Sequence, residues 1–157
     1  MIPASIERFL ATHRVSYTPL PHVRAITAQE EAAVTHTPGR AWAKTVVCVA
    51  DNAPIQAVVP ADRVVDPVRL RELVGARTLR IAEEDEFASL YPDCDTGAMP
   101  PFGIMYGQPV YVDQALCADP EIVFNAGTHT DAIRMRYTDY DRLVHPVVGA
   151  FALRVAH

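Results

Sequence analysis

The chain has a single lysine. Of its 14 basic residues 13 are arginine, and Lys44 stands alone at the head of the apolar run 44–50. A coding bias alone can produce such an excess of arginine, and a lysine kept against it suggests a need for a compact ammonium. The pKa of an ammonium moves on burial, whereas the guanidinium stays charged and forked. Other scarcities exclude whole classes. The three cysteines, Cys48, Cys94 and Cys117, are widely spaced and form no C-x-x-C pair. That argues against a zinc ribbon or a disulfide framework and fits a reducing, cytoplasmic setting. No apolar run approaches the roughly 20 residues of a membrane helix, and the first residues lack the basic and apolar segments of a secretory leader. The net charge of −5 leaves no broad basic face for duplex DNA, although a protein that grips only the end of an RNA remains compatible with it. The six histidines fall at no metal-ligand spacing, and neither a G-x-S-x-G elbow nor a phosphate-binding G-x-x-x-x-G-K is present. Neither metal nor cofactor is called for.

At 157 residues, half of them hydrophobic, the chain suits one domain, 1–157. Apolar residues at helical spacing predict a helix over 3–14, followed by a strand over 15–20. Thr27 to Glu30 reads as a capping box opening a helix to about Val34. The β-rich runs 44–50 and 55–60 predict a hairpin through residues 51–54. Asp66-Pro67 and Gly75 bracket a helix over 67–74. A strand over 77–82, a helix over 83–90, strands over 109–113, 121–125 and 132–137, and a helix over 139–144 complete the pattern. Residues 147–153 carry no decisive signal. Irregular alternation with a hairpin indicates a mixed α/β fold: a mixed parallel and antiparallel, barrel-like sheet flanked by helices, not a doubly wound parallel sheet.

Three constellations are candidates for chemistry, each with a plain structural alternative. Lys44 heads a buried-looking strand, where a lysine also snorkels to solvent without any function. The loop 97–103 lacks hydrogen-bonding side chains but offers backbone N–H groups that a ligand can approach closely at glycine. Such donors hold a carbonyl or a developing oxyanion, yet a rigid loop packed by Met99 and Phe102 has the same composition. Asn125-Ala126-Gly127-Thr128-His129 lies between two predicted strands. Turn chemistry explains Asn125 and Gly127 but explains Thr128 and His129 less readily.

Taken in order, these features resemble the YbaK/ProX family of aminoacyl-tRNA deacylases, freestanding relatives of the editing domain of bacterial prolyl-tRNA synthetases. The landmarks are His22 with Thr27 and Gln29-Glu30-Glu31 after it, Ala43-Lys44-Thr45-Val46-Val47, Val59-Pro60, Val65-Asp66 ahead of Leu70, the Gly97-x-x-x-Pro101 loop and the Gly127 turn. The resemblance implies a mixed α/β barrel that hydrolyses the ester of mischarged aminoacyl-tRNA, with tRNA(Pro) carrying Cys or Ala as the expected substrate. Its partners would be the tRNA acceptor end and an aminoacyl-tRNA synthetase, with neither membrane nor DNA. It implies that Lys44, Gly97 and Pro101 serve catalysis. His22, Thr27, Thr45, Ala98, Met99, Asn125, Gly127, Thr128 and His129 would line the substrate pocket. Lys44 would supply positive charge rather than act as a base. The substrate's own ribose 2′-OH would help activate water, with His129 as a second candidate. Pro100 ahead of Pro101, and Thr128-His129 where one relative has Lys-Arg, depart from the family and bear on substrate choice. A non-catalytic domain that senses a small amino acid or an aminoacyl-RNA end would keep the same residues.

Overall fold

The computed structural model describes residues 1–154. The chain opens with α1 (Ala4–Thr12), whose Ile6 and Leu10 lie one turn apart and are fully buried. Past its end Arg14 takes a positive φ of 54° and the Val15 N–H returns to the Leu10 carbonyl. The strand expected from residue 15 therefore starts late, as β1 (Thr18–Pro21). Thr27 caps α2 (Ala28–Val34), its Oγ1 accepting from the Glu30 N–H at 3.1 Å.

The hairpin is present as β2 (Ala43–Ala50) and β3 (Ala53–Pro60). Its turn is tighter than predicted, only Asp51-Asn52, with φ of 47° and 66°. Asp and Asn tolerate that left-handed backbone, and a turn of this hand suits the twist of the strands it joins. β3 is buried on both faces. Ile55, Ala57 and Val59 enter one apolar cluster and Val58 another, which is why the sequence shows an unbroken apolar run there in place of alternation.

β4 (Arg63–Val65) was not anticipated, because three residues are too few to show a period. α3 (Pro67–Val74) matches its prediction residue for residue. Asp66 Oδ1 accepts from the Val68 and Arg69 N–H groups, and Gly75 ends the helix at φ 75°. β5 (Leu79–Ile81) is shorter than the predicted 77–82, since the Asp51 carboxylate captures the N–H groups of Arg77 and Thr78. The predicted helix over 83–90 is split into α4 (Glu84–Phe87) and a 3₁₀ turn, Ala88–Leu90.

β6 (Val110–Asp113), β7 (Glu121–Thr128), β8 (Asp131–Arg136) and α5 (Tyr137–Val144) follow. The undecided segment is two short strands, β9 (Val147–Gly149) and β10 (Ala152–Arg154). The turn placed at 125–129 is corrected: β7 runs on to Thr128, with a bulge between Asn125 and Thr128, and the tight turn is His129-Thr130. Gly127, at φ 93°, supplies the backbone freedom that the bulge requires.

The strands form a five-stranded sheet, β5-β2-β3-β6-β9, a three-stranded sheet, β1-β8-β7, and the pair β10-β4. β3, β6 and β9 run parallel, and the other pairings are antiparallel. A bridge from Trp42 to Val123 links the two larger sheets. Between them lies the main core, with Val58 and Val112 from one sheet, Phe124 and Ile133 from the other, and Ile6, Leu10 and Tyr140 from the helices. This is the mixed, helix-flanked architecture that the sequence indicates.

Asp113 ties the end of the chain to that core. Its buried carboxylate accepts from the N–H groups of Phe151 and Ala152 through Oδ1 and of Ala115 through Oδ2, at 2.9–3.0 Å. Each buried donor left unpaired costs about 1–3 kcal/mol. Asp113→Ala should therefore lower unfolding free energy by roughly 3 kcal/mol, with Asp113→Asn losing less, as read by denaturant titration.

Candidate functional site

A cavity of about 400 Å³ opens between α2, β2, α4 and the loop that carries Gly97. Thr27, Gln29 and Glu31 approach it from α2 and its N-cap. Lys44 and Thr45 approach from β2, and Phe87, Gly97, Met99 and Asn125 close the remaining sides. β2 delivers Lys44 because it is paired with β3 along its whole length, Lys44 opposite Val59, while β5 holds its far end at Cys48–Ala50. The ammonium is half-buried and Nζ donates to the Arg63 carbonyl at 3.1 Å. Burial holds its pKa below the usual lysine range. An ammonium has three donors, and this single bond occupies one of them.

The loop after α4 is fixed from behind by bonds that leave its cavity side open. The Asp95 N–H donates to the Gly127 carbonyl at 2.8 Å, and the Gly127 N–H donates to the Ala98 carbonyl at 2.9 Å. Gln56, fully buried, donates through Nε2 to the Pro100 carbonyl and to the Tyr91 hydroxyl, both at 3.2 Å. Tyr91 donates in turn to Gln108 Oε1. The Tyr140 hydroxyl donates to the Pro101 carbonyl at 2.7 Å. The Ala98 N–H is spent on Asp95. Among the described residues, the N–H groups of Gly97 and Met99 have no hydrogen-bond partner.

The structure thus brings Lys44, Gly97, Thr27, Thr45, Met99 and Asn125 to one cavity. The other residues singled out in the sequence lie elsewhere. Ala98 and Pro101 are buried behind the loop surface. Gly127 faces the start of α1, and a Cβ there would come within 2.6 Å of Pro3 Cγ. Thr128 donates to the Asp131 carboxylate at 2.7 Å. His22 holds the Val23 carbonyl through Nδ1 at 2.6 Å. His129 is buried, and its Nε2 lies 2.9 Å from the Thr96 carbonyl. A carbonyl only accepts, so Nε2 carries the proton and the imidazole acts as a buckle between the β7–β8 turn and the loop. Among the described residues no group of His, Cys, Asp and Glu is placed to hold a metal ion, and no helix is long and apolar enough to cross a membrane.

Glu31 is among the cavity residues to which the sequence assigns no role. Glu31 is only 2% exposed, and its Oε2 has no partner among the described residues. Burial raises its pKa from 4.5 to about 8, reinforced by Glu30 and opposed by the Asn125 side chain. A signal was there: Ala28, Glu31 and Ala32 share one buried face of α2, so a carboxyl interrupts an apolar helical stripe. The unfolded chain releases that proton near pH 4.5, and the folded chain holds it to about pH 8. Between those values the folded state binds the extra proton, so stability falls as pH rises, by roughly 1.4 kcal/mol per pH unit. Glu31→Gln removes the titration. The variant should be more stable than wild type at pH 7, with a flatter stability profile between pH 5 and 8, as read by denaturant unfolding across that range.

The comparisons with known proteins agree with one another. A proline–tRNA ligase of Nitratidesulfovibrio vulgaris is 30% identical over 100 residues, which are 64% of this chain and 17% of that enzyme. The chain therefore spans about a sixth of this relative's length. A solved structure of the hypothetical protein APE2540 superposes with a TM-score of 0.86 at 18% identity, covering 95% of this chain and 99% of that one. A candidate trans-editing enzyme for prolyl tRNA synthetase superposes with a TM-score of 0.81 at 23% identity, over 99% and 100% of the two chains. Both share the fold. Residues 22–143, which hold the whole cavity, match the model of the aminoacyl-tRNA editing domain, and the chain belongs to that family.

Proposed function

We propose that this protein is a deacylase that hydrolyses the ester of a small amino acid mischarged on tRNA(Pro), with Cys or Ala as the residue removed. It would act in the cytosol on the tRNA acceptor end, beside a synthetase, without metal or cofactor. The observation that carries the reading is one cavity lined both by the half-buried Lys44 and by a loop whose Gly97 and Met99 N–H groups have no hydrogen-bond partner among the described residues.

The ester carbonyl would point to the Gly97 and Met99 N–H groups, which would then receive the oxyanion as water adds. Donors of this kind, held in place before reaction, are worth roughly 2.7–4 kcal/mol each in barrier. The free donors of Lys44 would place positive charge against the ester or the terminal phosphate. A lysine serving as general base would have to be neutral at the working pH, and an electrostatic role needs no such shift. His129 lies outside the cavity with one nitrogen committed to Thr96. That favours the ribose 2′-OH of the substrate over His129 as the group that helps activate water. Met99, Phe87 and Val47 give the cavity an apolar wall that would exclude larger side chains. One methylene is worth only about 1–3 kcal/mol there, so neighbouring amino acids should differ by 10- to 100-fold rather than absolutely.

Incubation with Cys-, Ala- and Ser-tRNA(Pro) tests the activity. Release above the uncatalysed rate is expected for at least one of them, and none across a broad panel would refute the enzyme reading. Lys44→Ala should lower kcat/KM at least 100-fold with the melting temperature unchanged. Lys44→Arg should fail to restore full activity, since a planar fork is larger and placed differently. Because the charged form of Lys44 is the working one and burial lowers its pKa, catalysis relative to the alkaline background should fall as pH rises. The fall should come before the usual lysine range is reached, and a rate that climbs through that range would overturn the electrostatic role.

A further inference from the structure

Three oxygen atoms of this cavity are buried and lack any hydrogen-bond partner among the described residues: Glu31 Oε2, Thr45 Oγ1 and Asn125 Oδ1. They come from three separate elements, α2, β2 and β7. Buried polar atoms are nearly always paired, and each orphan asks for an explanation. Here all three belong to residues that line one cavity, the Asn125 side chain lies within hydrogen-bonding reach of Glu31, and the Glu31 carboxyl is only 2% exposed.

We propose that Glu31, with Thr45 and Asn125, receives the α-ammonium of the aminoacyl group, so that the cavity accepts only esters whose amino group is free. The inference deepens the deacylase reading and rests on it for the identity of the ester. An ammonium carries three N–H donors and no acceptor, which matches three vacant oxygens. A charged hydrogen bond to a carboxylate is about twice as strong as a neutral one. An arriving cation would also turn Glu31 into its ionised form, because an opposite charge within a few ångströms favours ionisation. Glu31 and Lys44 would then divide the cavity. The carboxylate takes the amino end, and the ammonium, which would repel it, takes the ester or phosphate end. Glu84, the other acid at the rim, is exposed and is screened by solvent. A substrate bound this way has its carbonyl fixed between two charged contacts, which is orientation as well as affinity.

The test pairs two probes with two proteins, wild type and Glu31→Gln. The first probe is alanyl-tRNA(Pro) against its N-acetyl form, read as kcat/KM. The second is a non-hydrolysable 3′-alanylamino-adenosine against its N-acetyl counterpart, read as binding by calorimetry. Wild type should prefer the free amine by 30-fold or more with both probes. Glu31→Gln should lose at least 10-fold on the free-amine probes, mainly in KM, and little on the acetylated ones, so that the preference collapses. Equal handling of free and acetylated probes by wild type overturns the inference, whatever the variant does. An equal loss on both forms in Glu31→Gln also overturns it, and points to a proton-transfer role. Should wild type hydrolyse no aminoacyl-tRNA yet bind the free-amine adenosine through Glu31, the deacylase reading fails and the ammonium site stands.

Discussion

The site depends on a loop held from behind. Two backbone bonds stitch residues 95 and 98 to Gly127 of β7, and two side-chain donors, Gln56 and Tyr140, take the carbonyls of Pro100 and Pro101. None of these bonds uses the N–H of Gly97 or Met99. Donors that must meet charge only as it develops are effective when the protein, not the reaction, has already oriented them. Gly127 is the point where this hold meets the rest of the fold. Its backbone bonds the loop, while its missing side chain lets Pro3 and Ile6 of the first helix approach within 3.0 Å of where a Cβ would stand.

The polar groups that do this positioning are themselves buried in the core. Gln56 sits on the inner face of β3, which apolar residues otherwise line, and Tyr140 stacks in the aromatic cluster with Phe102 and Phe124. A buried amide or hydroxyl is tolerable only with its partners in place. The Pro100 and Pro101 carbonyls are the partners of Gln56 Nε2 and the Tyr140 hydroxyl, while Gln56 Oε1 has none among the described residues, so the core and the loop hold each other in place. A prolyl pair at 100–101 suits this arrangement, since neither residue has an N–H to satisfy and both offer a carbonyl.

Much of this was legible in the sequence where the signal is local. Asp66-Pro67 and Gly75 mark α3 residue for residue, because a cap, a fixed φ and a left-handed stop are each set by one side chain. The β2–β3 hairpin and Lys44 were equally plain. What escaped depends on partners distant in sequence. β4 exists only through pairing with β10, and β5 is cut short by a carboxylate 26 residues away. The bulge in β7 reads as a turn because Asn and Gly serve both. Glu31 was quoted as a landmark and given no function, since its position on the buried stripe of α2 follows from what packs on that helix rather than from its own type. His129 and Gly127 carry the opposite lesson. Both looked like pocket residues, and both act on the loop from outside the cavity.

Charge gives the last step. The chain is acidic, with a net charge of −5, so it cannot bind a large RNA by neutralising many phosphates. On the proposed reading, affinity must come from the acceptor end alone, and most of it from the cavity. That cavity is lined by Lys44 and by two acids, Glu31 buried and Glu84 exposed, and burial raises the pKa of Glu31 to about 8 and holds that of Lys44 below the usual lysine range. A ligand with an amine at one end and a phosphate or polarised ester at the other would ionise Glu31 as the amine arrives and meet the ammonium of Lys44 at its other end. Uncharged tRNA carries the phosphate without the amine, and a free amino acid carries a carboxylate in place of the ester and phosphodiester. Only the aminoacylated end offers the amine and the phosphodiester together, so a site that uses both contacts separates the substrate from either product.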